Sequence, residues 1–223
     1  MKKPPGAPGK SLAKPRKAAS GGLAGRKAAS RASGNPATIR RLRTELALAR
    51  KRIAELEASA NTDFLLDIPN RRGFERELDR ALAYIKRYDA SGALIVLDVD
   101  RLKPINDTFG HASGDEVLKA VAAVLMRQVR ASDVVGRLGG DEFGLLLWNL
   151  SETDARAKAA ALELAIDGLS FVFAGKAVAA GASAGIALLG RHTESGRALD
   201  EADRAMYVRK AQRRHELRAV SGR

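Results

Sequence analysis

The sequence predicts one globular domain of the α+β class, built around a mixed or antiparallel sheet, in the part of the 223-residue chain that follows Asn61. Two patterns predict this class. Apolar residues at helical spacing alternate with short apolar runs typical of strands. Two of those runs are joined by Gly139 and Gly140, a pair typical of a β-hairpin turn. Because a hairpin joins antiparallel neighbours, a doubly wound parallel sheet is not expected.

The first 36 residues carry most of the excess positive charge. They contain nine Lys and Arg and no Asp or Glu, whereas the rest of the chain has 30 basic and 26 acidic side chains. This segment consists mainly of Lys, Pro, Gly, Ala and Ser and has too few large apolar residues to fold alone. We therefore expect residues 1–36 to form a disordered basic tail. Its repeat, Arg16–Ser20 and again Arg26–Ser30, is compatible with an anionic-surface anchor, a modification site or compositional drift.

Residues 37–60 have a heptad pattern. Apolar residues recur at alternating spacings of three and four, at Ile39, Leu42, Leu46, Ala49, Ile53, Leu56 and Ala60. This pattern predicts a coiled-coil helix about 36 Å long that would join two copies of the chain. The alternative is one amphipathic helix lying on its own domain. The polar step Asn61-Thr62-Asp63 is expected to act as a joint.

The globular region, residues 61–218, shows a series of element signals, and residues 219–223 are expected to be disordered. Ser113 and Glu116 have the spacing of a capping box at the start of a helix. The predicted elements are a helix with Phe74, Leu78, Leu82 and Ile85 inward, a strand at 93–99, a helix from Ser113, a hairpin of 134–135 with 143–148, a helix at 151–168, a strand within 178–189 and a basic helix at 199–217.

Composition excludes several classes of protein. The chain has no cysteine, which removes disulfides, thiolate zinc sites and cysteine nucleophiles, and its three histidines are scattered. A bound metal would therefore be held by oxygen atoms. No apolar stretch is long enough for a membrane span or a signal peptide, so a cytoplasmic location is expected. Nucleic-acid binding is not favoured, because the basic tail lacks interleaved aromatic residues, and its partner stays unassigned.

Acidic residues stand where two of the predicted strands begin or end. Asp98 and Asp100 end an apolar strand, and Asp141 and Glu142 follow the glycine pair of the hairpin. Neighbouring carboxylates repel one another unless a cation neutralises them, and Mg²⁺ prefers one or two carboxylates together with water and substrate phosphates. The pattern indicates a site for phosphoryl or nucleotidyl transfer. The alternative is that these are solvated turn residues.

The same residues resemble a known family. Residues 139–143 spell the signature of the GGDEF family of diguanylate cyclases, and the similarity extends over residues 61 to about 215. The matching segments are Asp63-Phe64-Leu65 with Asn70-Arg71-Arg72, Asp98-Val99-Asp100 through Lys103, Asn106 and Asp107, Gly110-His111 and Gly114-Asp115, Arg137-Leu138, and Ala202-Asp203 with Met206-Tyr207 and Lys210.

This resemblance implies a fold like the palm of nucleotidyl cyclases and polymerases, a mostly antiparallel central sheet wrapped by helices. It also implies that two GTP molecules are condensed into cyclic di-GMP and two pyrophosphates at the interface of a homodimer. The implied site residues are Asp98, the backbone of Val99 and Asp141 for Mg²⁺ or Mn²⁺, Glu142 as a further ligand or as the group that deprotonates the 3′-hydroxyl, Gly139 and Gly140 in the turn, Asn106 and Asp115 for guanine, and Lys103, Lys210 and Arg214 for the triphosphate. Asn106 and Asp115 have an alternative interpretation as turn and helix-capping residues.

The resemblance also implies a site for inhibition by the product. Arg130 and Asp133 form an R-x-x-D pattern five residues before the signature, the position at which the family binds cyclic di-GMP as an inhibitor.

Two departures from the family pattern lie at the end of the domain. Arg213 replaces a glycine that ends a helix and His215 replaces an asparagine, so the helix is expected to run on, which affects the placement of Arg214. The alternative function is a catalytically silent module that binds GTP or cyclic di-GMP.

Overall fold

The computed structural model describes residues 35–221, so the predicted tail up to residue 34 and residues 222–223 lie outside the described part of the chain. The described residues divide into two units, 35–50 and 51–221. The predicted N-terminal helix is present as α1, Pro36–Asn61. No helix among residues 35–221 combines the length and the apolar character needed to cross a membrane.

The heptad positions of α1 are exposed in the single chain. Ile39, Leu42 and Leu46 in the first unit are 39, 53 and 50% exposed, and Ile53 and Leu56 in the second are 56 and 55% exposed. Such a row of uncovered apolar side chains is what a coiled-coil partner would bury. Pairing of two copies through 37–60 stays a prediction.

The second unit is an α+β domain around an antiparallel sheet, as the sequence predicts. Its four-stranded sheet has the order β2-β3-β1-β6, and β4 and β5 form a separate hairpin. After α1, the elements are α2 Arg71–Tyr88, β1 Gly92–Asp100, α3 Leu102–Phe109, α4 His111–Gln128, β2 Val134–Arg137, β3 Glu142–Trp148, α5 Glu152–Asp167, β4 Ser170–Phe173, β5 Lys176–Ala179, β6 Gly181–Leu189 and α6 Ser195–Ser221.

Strand β1 lies in the centre of the sheet and is buried on both faces. Leu94 and Val96 belong to an apolar cluster with α2 and α6, whereas Ile95, Leu97 and Val99 pack with α3, α4 and α5. Alternate residues of a strand face opposite sides. Asp98 and Asp100 therefore continue the face that α6 covers.

The start of α2 is fixed by Asn70 and Phe74. The Asn70 side chain accepts a hydrogen bond from Gly73 N–H at 3.0 Å and donates one to the Ala60 carbonyl, also at 3.0 Å, near the end of α1. The ring of Phe74 lies against Gly144 and its cross-strand partner Gly136, where an added Cβ would come within 2.7 and 2.9 Å of the Phe74 side chain. The hairpin that leads into the acidic turn therefore packs directly on α2.

Two local predictions were wrong, the capping box at Ser113 and the disordered end from residue 219. The capping box at Ser113 is not a helix start, because α4 begins at His111 after Gly110, and the Ser113 hydroxyl donates instead to the Phe109 carbonyl at 3.1 Å. The strand predicted within 178–189 is present as β6, and a short strand that the sequence did not indicate, β5, precedes it. With no glycine at position 213, α6 continues to Ser221, so residues 219–221 are helical rather than part of a disordered end.

Candidate active site

Carboxylates from two strands meet at one end of the sheet. Asp98 on β1 pairs in register with Glu142 on β3, on the opposite side from Ser183 on β6. Residues directly opposite in an antiparallel pair have Cβ atoms about 5 Å apart on the same face. The Ser183 hydroxyl lies 3.1 Å from the Asp100 carboxylate, to which it donates a hydrogen bond. The acids thus face α6 together.

Asp98 is the most enclosed of these acids. Its side chain is 9% exposed, and the Lys210 ammonium on α6 donates a hydrogen bond to its Oδ1. Burial raises the pKa of Asp98, the hydrogen bond and the charge of Lys210 lower it, and the charges of Asp141 and Asp100 raise it again. The net effect is a raised pKa, so the environment of Asp98 favours an added cation over a bare carboxylate.

The glycine turn between β2 and β3 is tied to the end of β1. Val99 N–H donates to the Asp141 carbonyl at 2.9 Å. The Glu142 carboxylate folds over Gly139, where an added Cβ would lie 2.7 Å from Oε2, so a side chain at 139 would displace it. Gly140 has open space at the same position. Close approach therefore explains the first glycine, whereas no contact among residues 35–221 requires the second.

Arg137 fixes this turn, a role that the sequence did not indicate. Its guanidinium donates to the carbonyls of Gly139 and Gly140 at 3.0 and 2.7 Å and to Asp63 Oδ2 at 3.1 Å. Both side chains of the ion pair are largely buried, 15% exposed for Arg137 and 12% for Asp63. One feature of the sequence could have indicated this role: an arginine two residues before a glycine pair can reach the carbonyls of both glycines.

A cavity of about 340 Å³ opens beside the acids. Five predicted site residues line it, namely Val99, Lys103, Asp141, Lys210 and Arg214, together with Arg213. The structure therefore brings one predicted metal carboxylate, a predicted backbone ligand and all three predicted phosphate cations to one space, and Asp98 lies next to it through its bond to Lys210.

Of the two residues predicted for guanine, Asn106 lies on α3 and Asp115 on α4, and neither lines this cavity. Asn106 packs against Gly114, the residue before Asp115, and an added Cβ at Gly114 would lie 2.0 Å from Asn106 Oδ1. That oxygen is buried, and no donor in the described chain bonds to it. It is therefore an acceptor available to a ligand.

No group of three or more His, Cys, Asp or Glu side chains within residues 35–221 is close enough to hold a metal ion alone. The predicted ligands Asp98, Asp141 and Glu142 are accordingly near one another without forming a closed cage. Oxygen ligands from the backbone, water or substrate phosphates would have to complete the shell, as they do for Mg²⁺ at nucleotide sites.

Arg130 and Asp133 lie at the opposite end of β2 from the glycine turn, about 13 Å along the strand. The Asp133 carboxylate accepts from the backbone N–H groups of Arg130 at 2.8 Å and Trp148 at 3.3 Å, and the arginine side chain is exposed. Asp133 therefore shapes the turn through backbone groups, and these bonds do not involve the guanidinium of Arg130. A separate cavity of about 540 Å³ adjoins this turn at Ser132 and Trp148.

A family model described as diguanylate cyclase, GGDEF domain, matches residues 60–216. The chain belongs to the GGDEF diguanylate cyclase family. The matched range contains the acids, the glycine turn, the cavity and the Arg130 turn.

Individual relatives match the same part of the chain. The probable diguanylate cyclase DgcE of Escherichia coli is 38% identical over 162 residues, 72% of this chain and 15% of DgcE. The diguanylate cyclase TpbB of Pseudomonas aeruginosa is 40% identical over 167 residues, 74% of this chain and 38% of TpbB. The chain thus spans much less than half the length of these curated relatives.

The fold is also similar to solved structures. The crystal structure of the coiled coil and GGDEF domain of DgcB from Caulobacter crescentus, in complex with c-di-GMP, superposes with a TM-score of 0.70 at 26% identity and covers 79% of this chain and 94% of that one. This similarity confirms the predicted α+β fold with an N-terminal helix before the domain.

Proposed function

We propose that this chain is a diguanylate cyclase that condenses two GTP molecules into cyclic di-GMP and two pyrophosphates. The observation that supports this most directly is the cavity at the GGDEF turn, where Asp141 faces the cations Lys103, Lys210 and Arg214. A triphosphate needs such cations, and a transfer reaction needs carboxylates beside them. Family membership and relatives named diguanylate cyclase support the same reaction.

The residues fit a divalent metal ion, on which diguanylate cyclases of this family generally depend. Asp98 is a buried acid with a raised pKa beside Asp141, and such carboxylates favour a cation. We assign Asp98, Asp141 and the Val99 carbonyl as its holders, with Glu142 as a further candidate. Oxygen ligands of this kind suit Mg²⁺, with Mn²⁺ as an alternative. Bound there, the metal would neutralise phosphate charge as a Lewis acid.

The protein's own groups would orient and deprotonate the substrate. Lys103, Lys210 and Arg214 would bind phosphate oxygens. The Glu142 carboxylate, which is half-buried over Gly139, would accept the proton of the attacking 3′-hydroxyl.

Guanine recognition is assigned to Asn106 and Asp115. The unpaired Asn106 oxygen is an acceptor for a guanine N–H, and the Asp115 carboxylate would accept from N1–H and N2–H. An unpaired buried acceptor is costly, so a guanine that pairs it gains affinity over a base without the donor.

The reaction requires two protomers. One domain presents one GTP, and the product joins two, so two active faces must meet. The exposed heptad positions of α1 are the proposed contact that brings two copies together. The DgcB structure that superposes on this chain is described as containing a coiled coil with the GGDEF domain, which supports this assignment.

The test is product formation from purified protein, GTP and Mg²⁺, with the products resolved by chromatography. We expect the wild type to form two pyrophosphates for each cyclic di-GMP. We expect Asp141→Asn to lose about 100-fold or more of its turnover. The matched control is Asp79→Asn, an exposed acid on α2, which should retain full activity. Binding of GTP or cyclic di-GMP by the wild type without turnover would instead establish the silent-module alternative.

A further inference from the structure

Arg213 stands where the family pattern has a helix-ending glycine, and the structure shows where its side chain goes. Helix α6 continues through this position. The side chain is only 14% exposed, and its guanidinium is surrounded by three carboxylates: Nη2 lies 2.6 Å from Asp167 Oδ1, Nε 3.4 Å from Asp100 Oδ2 and Nη1 3.6 Å from Glu163 Oε2.

The contacts of Arg213 join three elements. Asp100 ends β1, whereas Glu163 and Asp167 lie one turn apart on α5. Glu163 is itself fixed to β6, because its Oε1 accepts from Ala184 N–H at 2.9 Å, and it pairs with Arg209 on α6 at 2.9 Å. Removing Arg213 would leave buried carboxylates under-compensated, and such half-broken buried networks are destabilising locally.

The same turn of α6 carries the cations of the active site. Residues 210, 213 and 214 are spaced i, i+3 and i+4, so they share one face of the helix. Lys210 bonds to Asp98 while Arg213 pairs with Asp100, the next residue on that face of β1. Two ion pairs thus fix the register of this helical turn against the central strand, and Arg214 follows directly.

We propose that Arg213 is a positioning residue, which holds the turn of α6 bearing Lys210 and Arg214 against the sheet and thereby sets the affinity for the GTP triphosphate. This inference rests on the proposed function. Arg213 acts through Lys210 and Arg214, since its own guanidinium is already paired with carboxylates. The competing role is direct phosphate binding, because Arg213 also lines the cavity.

The variant Asp167→Asn separates the two roles. If Arg213 positions α6, weakening its shortest ion pair loosens the turn, and KM for GTP rises. If Arg213 binds phosphate directly, losing the competing carboxylate frees the guanidinium, and KM falls or stays constant. A lower or unchanged KM in Asp167→Asn therefore overturns the proposal.

The full series compares Arg213→Gln, Arg213→Lys and Asp167→Asn with Arg156→Gln, an exposed control that pairs with Glu152 within α5. We expect Arg213→Gln to raise KM about tenfold with kcat nearly constant, because phosphate cations bind ground and transition states alike. Arg213→Lys should give an intermediate KM, and the control should match the wild type. A fall in kcat alone, or unchanged kinetics in Arg213→Gln, overturns the proposal.

Two further measurements cover the cases in which a variant does not fold or the wild type makes no product. If Arg213→Gln does not fold, as judged by circular dichroism, Asp167→Asn and Arg213→Lys decide the question. If the wild type makes no cyclic di-GMP, the proposed function fails separately, and equilibrium binding of GTP is measured on the same variants. Weaker GTP binding by Arg213→Gln and Asp167→Asn than by Arg156→Gln then supports the positioning role, and equal binding overturns it.

Discussion

The ammonium group of Lys210 donates a hydrogen bond to the carboxylate of Asp98, which joins the last helix to the central strand at a buried charge pair. Burial still outweighs this partner, and the pKa of Asp98 is raised. An ionised carboxylate that is buried in this way lowers the free energy of unfolding relative to a neutral side chain at the same position. Functional sites commonly carry this kind of cost.

We expect Asp98→Asn to increase the free energy of unfolding at neutral pH in metal-free buffer, although the same change should abolish activity. The folded-state pKa of Asp98 lies above its ordinary value of 3.8, so the wild type loses stability relative to the variant as pH rises through the raised pKa. Well below pH 3.8 the Asp98 carboxyl is protonated in the folded and the unfolded state, so the pH-dependent part of the difference vanishes. The charged neighbours are Lys210, Asp141 and Asp100.

Urea unfolding of the wild type and Asp98→Asn at several pH values measures this difference. Asp79→Asn, at an exposed position, should show no comparable pH-dependent gain. A variant less stable than the wild type at neutral pH would mean that the Lys210 bond outweighs burial.

A second prediction concerns the contact between Phe74 and the hairpin. In Gly144→Ala the new methyl would lie 2.7 Å from the ring, and overpacking of this kind costs about 1–3 kcal/mol of stability. Gly196→Ala is the matched control, because open space surrounds that helical glycine and alanine there should stabilise by about 0.4–1 kcal/mol. Thermal unfolding of both variants checks the pair, and equal midpoints would contradict the packing argument.

The sequence predicted elements that have both periodicity and a boundary signal. Helix α2 has a clear apolar stripe and Asn70 as its N-cap, and β1 is a continuous apolar run that ends in acid. Helix α3 has only eight residues, of which Leu102 and Ile105 are buried, and two buried positions are too few to show a helical pattern in the sequence. The capping box failed because Gly110 starts α4 before Ser113.

The sequence predicted those site residues that can be recognised from their type and their immediate neighbours in the chain. It did not predict residues whose role depends on contacts with partners far away in the sequence. Acids at strand ends and the GGDEF signature are local in sequence. Arg137 and Arg213 act on Asp63 and Asp167, which are 74 and 46 residues away, so only the folded chain shows these pairs. Their role is to hold the turn and the helix that carry the predicted residues.

The proposed dimer predicts that a charge in the heptad seam lowers activity. Leu46→Glu would place like charges opposite each other in a two-stranded coiled coil, so turnover per protomer should fall in dilute protein and recover in part at high concentration. Leu48→Glu is the control, since Leu48 is 63% exposed and lies outside the seam. Deletion of 37–60 should act like Leu46→Glu. Activity independent of dilution in all variants would refute assembly through α1.

Product feedback is tested at Arg130 rather than at Asp133. The Asp133 carboxylate holds the backbone of Arg130 and Trp148, so its loss would disturb the turn itself, whereas the exposed Arg130 side chain can be removed cleanly. A guanidinium there is free to make bidentate contacts with phosphate or guanine.

Because β2 separates Arg130 from the glycine turn, cyclic di-GMP bound at Arg130 would not touch Asp141. Inhibition would then require the product to bind a non-productive arrangement of the two protomers more tightly than the productive one. Arg130→Ala should therefore keep the initial rate and lose inhibition. Progress curves with added cyclic di-GMP measure both quantities: the wild type should slow as product accumulates, while Arg130→Ala continues towards GTP exhaustion. Arg127→Ala, in the last turn of α4, is the matched control and should slow like the wild type. Equal inhibition of Arg130→Ala and the wild type would leave the Arg130 turn with a structural role only.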